Sequence, residues 1–164
     1  MLELTTDQIR AALVNCTKGE AKRMNLPTNL GQTDWENLDF LGWRDPASTT
    51  IGGLALWRGD EVIAIALKAT ERLASNKQGM CSLCHTFHPS ADVAMMGAKR
   101  AGTRGREGNT VGAAMCSDLD CSLYARKLKQ PRRVQPQETL DIDGRVLRLQ
   151  TNLHKFVARV VDGR

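Results

Sequence analysis

Aromatic side chains are scarce in this sequence, which has three Trp, one Tyr and three Phe among its 164 residues. A core at this length must therefore be built mainly from aliphatic side chains, in one ordinary domain or two small ones. Long apolar runs are also absent, since no stretch approaches the roughly 18 residues that a membrane-spanning helix needs. The N-terminus lacks the basic and apolar regions of a secretory signal. These absences predict a soluble, cytoplasmic protein with no membrane partner.

Local signatures of common enzyme sites are absent as well. The sequence contains no nucleophile elbow, no Walker-type phosphate loop and no HExxH zinc motif. The glycines of GTRGREGNTVG (102–112) do not follow a strong strand or precede a helix in dinucleotide-binding order. This stretch is interpreted as a flexible basic loop. We therefore expect a non-enzymatic protein with no small-molecule substrate.

Positive charge is concentrated in one part of the chain. The formal net charge is +5, and the segment from Lys99 to Arg133 holds nine basic and three acidic residues. That segment alone carries +6, so the remainder sums to −1. A basic patch on a nearly neutral body indicates an acidic partner, either protein or RNA. The alternative is a solvated rim that aids solubility.

Four of the five cysteines form two pairs, Cys81-x2-Cys84 and Cys116-x4-Cys121, with 31 residues between the pairs. In a reducing compartment such pairs are typical of metal ligands rather than disulfides. A two-residue spacing lets both sulfurs of a tight turn face one ion. We predict one structural Zn²⁺ held by all four thiolates, with disulfides and unliganded core cysteines as the alternatives. Metal binding of this kind contributes about 10–16 kcal/mol, so its loss should unfold at least residues 80–125.

Three further residues offer ligand atoms near or outside these pairs. His85 and His88 lie in CSLCHTFH (81–88), and either can replace a cysteine in a site of three cysteines and one histidine. Because four cysteines are available, we do not expect either histidine to bind the metal. Each is expected to form a hydrogen bond with a zinc-ligating cysteine or to be exposed to solvent. Cys16 occupies an apolar position and is interpreted as a small buried hydrophobe.

Helix signals dominate the first 27 residues. Side chains at residues 5–7 can cap a helix, and the apolar residues that follow share one helical face, which predicts a helix to about residue 16. These apolar residues are Ile9, Leu13 and Cys16. Gly19 is expected to break it before a second helical piece, GEAKRM (19–24), which Pro27 stops.

The middle of the chain shows strand and turn signals. Arg58-Gly59-Asp60 interrupts an aliphatic run and predicts a β-hairpin from about Gly53 to Leu67. A strand is predicted at DVAMMGA (92–98), just before the basic segment. The segment itself predicts a loop at 99–109, a strand at TVGAAM (110–115) and a helix at SDLDCSLYARKLK (117–129). A knuckle, an intervening hairpin and a helix that carries the last ligand describe a treble-clef zinc module.

The C-terminal part predicts a closing helix of about four turns after a proline-interrupted connection, QPRRVQPQE (130–138). Its apolar face consists of Val146, Leu149, Leu153, Phe156, Val157 and Val160. We therefore predict an α+β fold with a helical N-terminus, a hairpin-containing sheet, a four-cysteine treble-clef zinc finger and a closing C-terminal helix. The predicted division of this single domain, 1–164, is a helix and hairpin part (1–79), the zinc module (80–130) and a linker with the last helix (131–164).

Several of these stretches resemble one known family. CSLC (81–84), the basic loop, GNTVGAAMCSDLDCSLYAR (108–126) and NLHKFVARV (152–160) are similar to the C-terminal treble-clef domain of the elongation factor G-binding proteins, the FusB-like fusidic-acid-resistance family. NCTKGEAKRMNLP (15–27) and WENLDFLGWRDP (35–46) resemble the upstream part of the same FBP domain.

This resemblance implies a function and a set of residues. Members of the family bind elongation factor G and help to release it from the ribosome when fusidic acid traps it there. Cys81, Cys84, Cys116 and Cys121 would then be the zinc ligands. The implied partner contacts are Lys99, Arg100, Arg104, Arg106, Asn109, Thr110 and Phe156. Phe156 also fits the core face of the last helix.

Two points limit what the resemblance implies. The resistance proteins carry an additional N-terminal helical bundle, and this chain is expected to have room only for the short helices before Pro27.

The alternative function is a zinc-dependent RNA-binding or ribosome-binding module without specificity for the factor. RNA recognition usually adds exposed aromatic side chains. Within the basic segment only Tyr124 qualifies, and we expect its ring to pack.

Overall fold

The computed structural model describes residues 1–70 and 78–162, and its centre is an antiparallel sheet with helices on both faces. The strands are β1 (Leu41–Arg44), β2 (Ile51–Arg58), β3 (Glu61–Ala69), β4 (Gln78–Met80), β5 (Phe87–Pro89), β6 (Val93–Lys99) and β7 (Thr110–Cys116). The helices are α1 (Thr6–Ala11), α2 (Lys18–Arg23), α3 (Gly102–Arg106), α4 (Cys121–Ala125) and α5 (Ile142–Val161). Short 3₁₀ turns occupy Leu30–Gln32, Trp35–Asn37 and Ser90–Asp92. The five-stranded sheet has the order β1-β2-β3-β6-β7, and β4 pairs with β5 in a second, two-stranded sheet.

The predicted hairpin is confirmed as β2 and β3. Their register pairs Arg58 with Glu61, which leaves a two-residue loop of Gly59 and Asp60. Gly59 has a φ of 62°, as the primed hairpin turns require at this position. The hairpin extends beyond the predicted bounds, from Ile51 to Ala69.

Side chains alternate between the faces of a strand, so β2 and β3 contribute to two separate cores. The zinc-side core contains the four paired cysteines, the larger side chains of the hairpin and the apolar face of α5. The N-terminal core lies on the other face and contains Leu4, Ile9, Leu26, Trp35, Leu41, Trp43, Ala55 and Ala64. Gly53 of the hairpin leaves room there for the Trp43 ring, since a Cβ atom at Gly53 would lie 2.3 Å from Cζ2 of Trp43.

The first helix ends earlier than predicted, at Ala11 rather than near residue 16. The chain leaves the helix to pair with the hairpin: Ala64 N–H donates to Ala12 O at 2.9 Å, and Val14 N–H donates to Ala64 O at 3.1 Å. This side of β3 has space for another chain because β6 pairs only with Lys68 and Ala69. Residues 12–14 therefore form hydrogen bonds with β3 in place of a further helical turn.

Asn15 completes the sheet where β3 and β6 diverge. Its side-chain amide donates to Ala66 O and to Lys99 O, both at 3.0 Å, and its side-chain oxygen accepts from Ala66 N–H at 2.8 Å. The residue is only 6% exposed, so these bonds offset the burial of its amide group. Cys16, which follows, is half-buried rather than fully buried as predicted.

The expected break at Gly19 is wrong, because Gly19 lies inside α2. Thr17 caps this helix through a reciprocal arrangement with Glu20. The Thr17 hydroxyl accepts from Glu20 N–H at 3.1 Å, and the Glu20 carboxylate accepts from Thr17 N–H at 2.7 Å. A capping box of this kind offsets the low helix propensity of the enclosed glycine.

The helix predicted over residues 117–129 is also shorter, since α4 covers only Cys121–Ala125. Leu119 has a φ of 64°, a left-handed conformation that cannot continue a helix. Asp118 and Asp120 accept from Lys129 at 2.9 and 2.6 Å. Asp118 and Asp120, at the start of the predicted helix, therefore bind Lys129 near its end. A continuous helix would hold these side chains apart.

The closing helix is confirmed and is longer than predicted, with 20 residues in α5. Asp141 caps it by accepting from Gly144 N–H at 2.8 Å. Its buried residues include Leu149, Leu153, Phe156, Val157 and Val160, as the periodicity predicts, whereas Val146 is partly exposed. In the described residues, no helix combines the length and apolarity that crossing a bilayer requires. The division of the chain into three parts stays a prediction.

Candidate metal centre

The four paired cysteines meet at one point of the fold. Cys81 and Cys84 lie in the turn between β4 and β5, Cys116 ends β7, and Cys121 is the first residue of α4. All four side chains are fully buried, their sulfur atoms lie within 4.8 Å of one another, and none forms a disulfide. The fifth cysteine, Cys16, lies outside this cluster. The predicted ligand set is therefore assembled by a knuckle, a strand end and a helix start.

The sulfur separations fit a single tetrahedral ion. Cys81 and Cys121 are 3.7 Å apart at Sγ, and Cys84 and Cys116 are 3.6 Å apart. Zinc with thiolate bonds of about 2.3 Å places its sulfur ligands about 3.8 Å from one another. With four protein ligands the coordination is closed, so the zinc is structural.

The protonation of the cluster also points to a cation. Hydrogen bonds with Cys116, Cys81 and Cys84, together with burial, raise the pKa of Cys121 well above its ordinary value. The four buried thiols thus cannot all ionise unless a positive charge accompanies them. Zinc supplies that charge and releases the retained protons when it binds.

Backbone geometry brings Cys81 and Cys84 to the same side of the knuckle. His85 has a φ of 61°, and its N–H donates to Cys81 O at 2.9 Å. Cys81 N–H donates to Thr86 O at 3.0 Å, which closes the turn from the other end. Leu83 N–H lies 3.4 Å from Cys81 Sγ and stabilises negative charge on that sulfur.

The side chains of the two histidines have different partners, and only that of His88 contacts the cluster. His88 is 1% exposed, its Nε2 lies 3.3 Å from Cys116 Sγ, and its ring packs edge-on against Tyr124 at 4.8 Å. His85 Nε2 lies 3.2 Å from Asn152 Nδ2 and points to α5. Neither histidine belongs to the ligand cluster among the described residues. A hydrogen bond to a metal-bound thiolate, as at His88, orients that ligand.

Helix α5 binds the knuckle through two side chains and α4 through a third, all of which sequence reasoning missed. Arg148 donates to Cys84 O at 3.1 Å, and Asn152 donates to Leu83 O at 3.1 Å. Arg145 donates to Tyr124 O at 2.9 Å in α4. Their spacing of three and four residues places them on one helical face, which is a signal that periodicity could have revealed.

The basic loop at 99–109 is folded rather than flexible, because it contains α3. Ala101 N–H donates to Val160 O at 2.8 Å, and Arg100 N–H donates to Asn109 O at 2.9 Å. A Cβ atom at Gly105 would lie 1.8 Å from Arg100 O, so only glycine allows this close packing. The loop is thereby held against the end of α5.

The implied contact residues divide into three groups. Arg104, Arg106, Asn109 and Thr110 are exposed on or beside α3. Lys99 is exposed but pairs with Glu20 at 3.1 Å, and Arg100 is half-buried and donates to Arg159 O at 3.0 Å. Phe156 is 3% exposed and lies in the zinc-side core. Its ring therefore offers almost no surface to a partner, and its role as a contact residue stays a prediction.

Comparisons with known proteins agree with this architecture. The FBP C-terminal treble-clef zinc-finger family model matches residues 8–160. The solved structure of the fusidic acid resistance protein FusC is similar in fold, with a TM-score of 0.62 and 13% sequence identity. The alignment covers 98% of this chain and 60% of the FusC chain. A search of curated proteins found no significant match. The family model spans most of the sequence, and four cysteines of this chain form the metal cluster that a zinc finger needs. The chain therefore belongs to the FBP C-terminal treble-clef zinc-finger family.

Proposed function

We propose that this chain is a cytoplasmic, non-enzymatic protein that binds elongation factor G and modulates its release from the ribosome. The observation that carries the proposal is the likeness in fold to a fusidic acid resistance protein over 98% of the chain. The FusB-like resemblance of the cysteine and loop motifs supports the same partner. The zinc then acts by holding the binding surface in shape rather than by chemistry.

The exposed part of α3 supplies suitable chemistry for such a partner. Arg104 and Arg106 are both exposed on this helix. The residues just before it are held on α5 by a backbone bond from Ala101 to Val160 O and a side-chain bond from Arg100 to Arg159 O. A cationic surface accelerates encounter with an acidic protein and makes that encounter dependent on salt. A surface that is already folded also loses less conformational entropy when it binds.

The RNA-binding alternative has weaker support. Tyr124, the aromatic residue of the basic segment, is 7% exposed and packs against His88. The large apolar residues that are exposed in the described chain are aliphatic or methionine. Proteins that bind single-stranded RNA usually stack its bases on exposed aromatic rings. The described surface therefore favours a protein partner.

The direct test is a calorimetric titration of the zinc-loaded protein against elongation factor G from the same organism, at two salt concentrations. We expect saturable binding of one protein to one factor, with weaker affinity at the higher salt because the contacts are charged. Absence of binding at both salt concentrations would overturn the proposal.

A charge-reversal pair tests the role of α3. The Arg104→Glu/Arg106→Glu variant should bind the factor about tenfold or more weakly while its zinc content stays intact. The matched control is Lys18→Glu/Arg23→Glu, which makes the same charge change at exposed positions on α2. Equal affinities of the two variants would remove α3 from the interface.

The same two variants distinguish RNA binding. A titration with a fluorescent ribosomal RNA fragment should show log affinity falling linearly with log salt if phosphates are contacted. Each lost phosphate contact should reduce that slope by roughly one unit. RNA affinity with such a slope, together with no affinity for the factor, would favour the alternative function.

A further inference from the structure

Strand β1 lies at an edge of the central sheet, with β2 as its single neighbour in the strand order. Asp45 N–H donates to Ile51 O at 2.9 Å, which continues the β1–β2 register by one residue pair. Backbone groups alternate in direction along an antiparallel strand, so the N–H and C=O of Gly42 point away from β2. This backbone is available for pairing with another strand.

Two other strand edges of the described chain are covered. Ser82 N–H of the knuckle donates to Ala114 O at 2.7 Å, on the outer edge of β7. The Gln135 side chain bonds both Phe87 N–H and Phe87 O, at 2.9 and 2.8 Å, on β5. Proteins usually protect sheet edges in such ways because exposed edges pair with other chains. Within residues 1–70 and 78–162, the edge of β1 at Gly42 has no comparable cover, which distinguishes it from these two edges.

A cleft of about 820 Å³ opens along this edge, and residues 40–44 line it. Three other parts of the chain form its remaining walls, namely α1, residues 22–34 and residues 119–123. They contribute the apolar residues Met24, Leu26, Pro27, Leu119 and Leu123. A site with an unpaired strand on one wall and apolar side chains on the others suits an extended chain with alternating side chains.

The charge of the cleft specifies the occupant further. Three cations, Arg10, Lys22 and Arg44, line it with two carboxylates, Asp34 and Asp120. Asp120 already pairs with Lys129 at 2.6 Å, so its charge is balanced within the protein. Arg44 also has partners within the protein, including Met96 Sδ at 3.3 Å, and is likewise left out of the count. Arg10 and Lys22 then outnumber Asp34, so the remaining charge in the cleft is positive and complements an acidic chain.

We propose that the β1 edge is a docking site for an extended, acidic peptide segment of a partner protein, which adds to the sheet as a sixth strand. Its backbone pairs with Gly42, alternate apolar side chains contact Met24 and Leu123, which line the cleft and are only half-buried, and acidic side chains lie towards Lys22. This site is separate from α3, so it goes beyond the function proposed above. Main-chain hydrogen bonds give such a complex affinity, and the wall residues give it specificity.

The first experiment selects ligands from a random dodecapeptide library displayed on phage, against the zinc-loaded protein. Enriched sequences should alternate apolar residues with Asp or Glu, because successive strand residues face opposite sides. Enrichment of no sequence, or of sequences without this alternation, would overturn the proposal.

Backbone methylation of the best synthetic peptide tests strand pairing directly. Two versions carry N-methyl groups on alternate residues, in one register or the other. Methylation in the register that faces β1 should weaken binding about tenfold or more, while the other register should be tolerated. Equal effects of the two registers would show that the peptide does not bind as a strand.

Amide exchange measured by NMR locates the peptide. Saturating peptide should slow hydrogen exchange at Gly42 about tenfold or more and shift the indole N–H signal of Trp43. Unchanged signals at both groups would place the peptide elsewhere and overturn the site. Slow exchange at Gly42 that depends on protein concentration without peptide would assign the edge to a second copy of this chain instead.

A matched pair of variants tests the charge argument. Lys22→Glu should weaken peptide binding about tenfold, since Lys22 lines the cleft. Arg23→Glu makes the same change at the next position, which is exposed and does not line the cleft. Equal affinities of the two variants would contradict electrostatic recognition at this site.

Discussion

The two faces of the hairpin β2–β3 are stabilised by different means. On the zinc-side core, four buried thiolates and one long helix cover the sheet. On the N-terminal core, short capped helices and tryptophan rings pack on small residues of the same strands. One face therefore depends on a bound ion, so its stability follows metal concentration, whereas the other depends on local caps and packing. Four variants test this difference, and they are arranged from the largest expected effect to the smallest.

The largest effect is expected from Cys116→Ser, which removes one of the four ligands. The apparent contribution of a structural zinc is about 10–16 kcal/mol, so the zinc-side core should lose its order. Zinc content and amide exchange at Leu153 and Ala64 measure the result. Cys16→Ser, outside the cluster, is the control and should keep the metal. Equal loss of protection at Leu153 and Ala64 would show that the two cores unfold as one unit.

A smaller effect is expected when the helix that covers the cluster is truncated. Leu153 is 1% exposed in α5, and Leu153→Ala should cost about 2–5 kcal/mol through lost burial and a cavity. Leu147, in the same helix, is 64% exposed, so Leu147→Ala should change stability by less than about 0.5 kcal/mol. Urea unfolding in excess zinc compares them. A similar cost for both variants would contradict the assigned helix face.

The corresponding test of the N-terminal core adds a methyl group under a tryptophan ring. A Cβ atom at Gly53 would lie 2.3 Å from Cζ2 of Trp43. Gly53→Ala should therefore destabilise the protein by about 1–3 kcal/mol and change tryptophan fluorescence. A Cβ atom at Gly31 meets nothing within 4 Å, so Gly31→Ala is the control. Equal unfolding midpoints for the two variants would contradict this packing.

The smallest effect is expected at Glu20, which links α2 to Lys99. Its hydrogen bond from Thr17 N–H, followed by those from Lys99 and the Thr17 side chain, lowers the pKa of Glu20 from 4.5 to about 2. The pKa of Glu20 is lower in the folded state than in the unfolded state, so the ionised carboxylate stabilises the fold. This contribution to the free energy of unfolding is present above pH 4.5 and is lost as the pH falls towards 2.

The variant Glu20→Gln should therefore cost less than about 1 kcal/mol at neutral pH, because the ion pair is exposed to solvent. The free energies of unfolding of this variant and the parent protein, measured with urea, should become equal at about pH 2. Glu3→Gln, at an exposed position, is the control. A difference that persists at the lowest pH would contradict the role of the Glu20 charge.

Local patterns predicted the parts of the fold whose geometry lies within a few residues. The hairpin turn at Gly59, the apolar face of α5 and the spacing of each cysteine pair are of this kind. Strand alternation, helix periodicity and the reach of a tight turn follow from covalent geometry, so a single sequence reveals them. The sequence likewise predicted that four cysteine thiolates fill all the coordination positions of one zinc ion.

Contacts between distant segments caused the errors and the omissions. Ala64 draws the chain out of α1 after Ala11, and the left-handed Leu119 with the bonds of Lys129 shortens the helix predicted at 117–129. Propensity is a weak guide when such tertiary hydrogen bonds compete with a marginal helix.

The sequence by itself determined which residues could hold zinc, where the hairpin turns and which face of the last helix is apolar. Only the tertiary structure decided that His88 contacts Cys116, that Arg148 donates to Cys84 O and that the edge of β1 opens into a cleft. Each of these depends on segments that are far apart in the chain. Their distance is set by how the whole core packs, because no local backbone preference specifies which distant surfaces will meet.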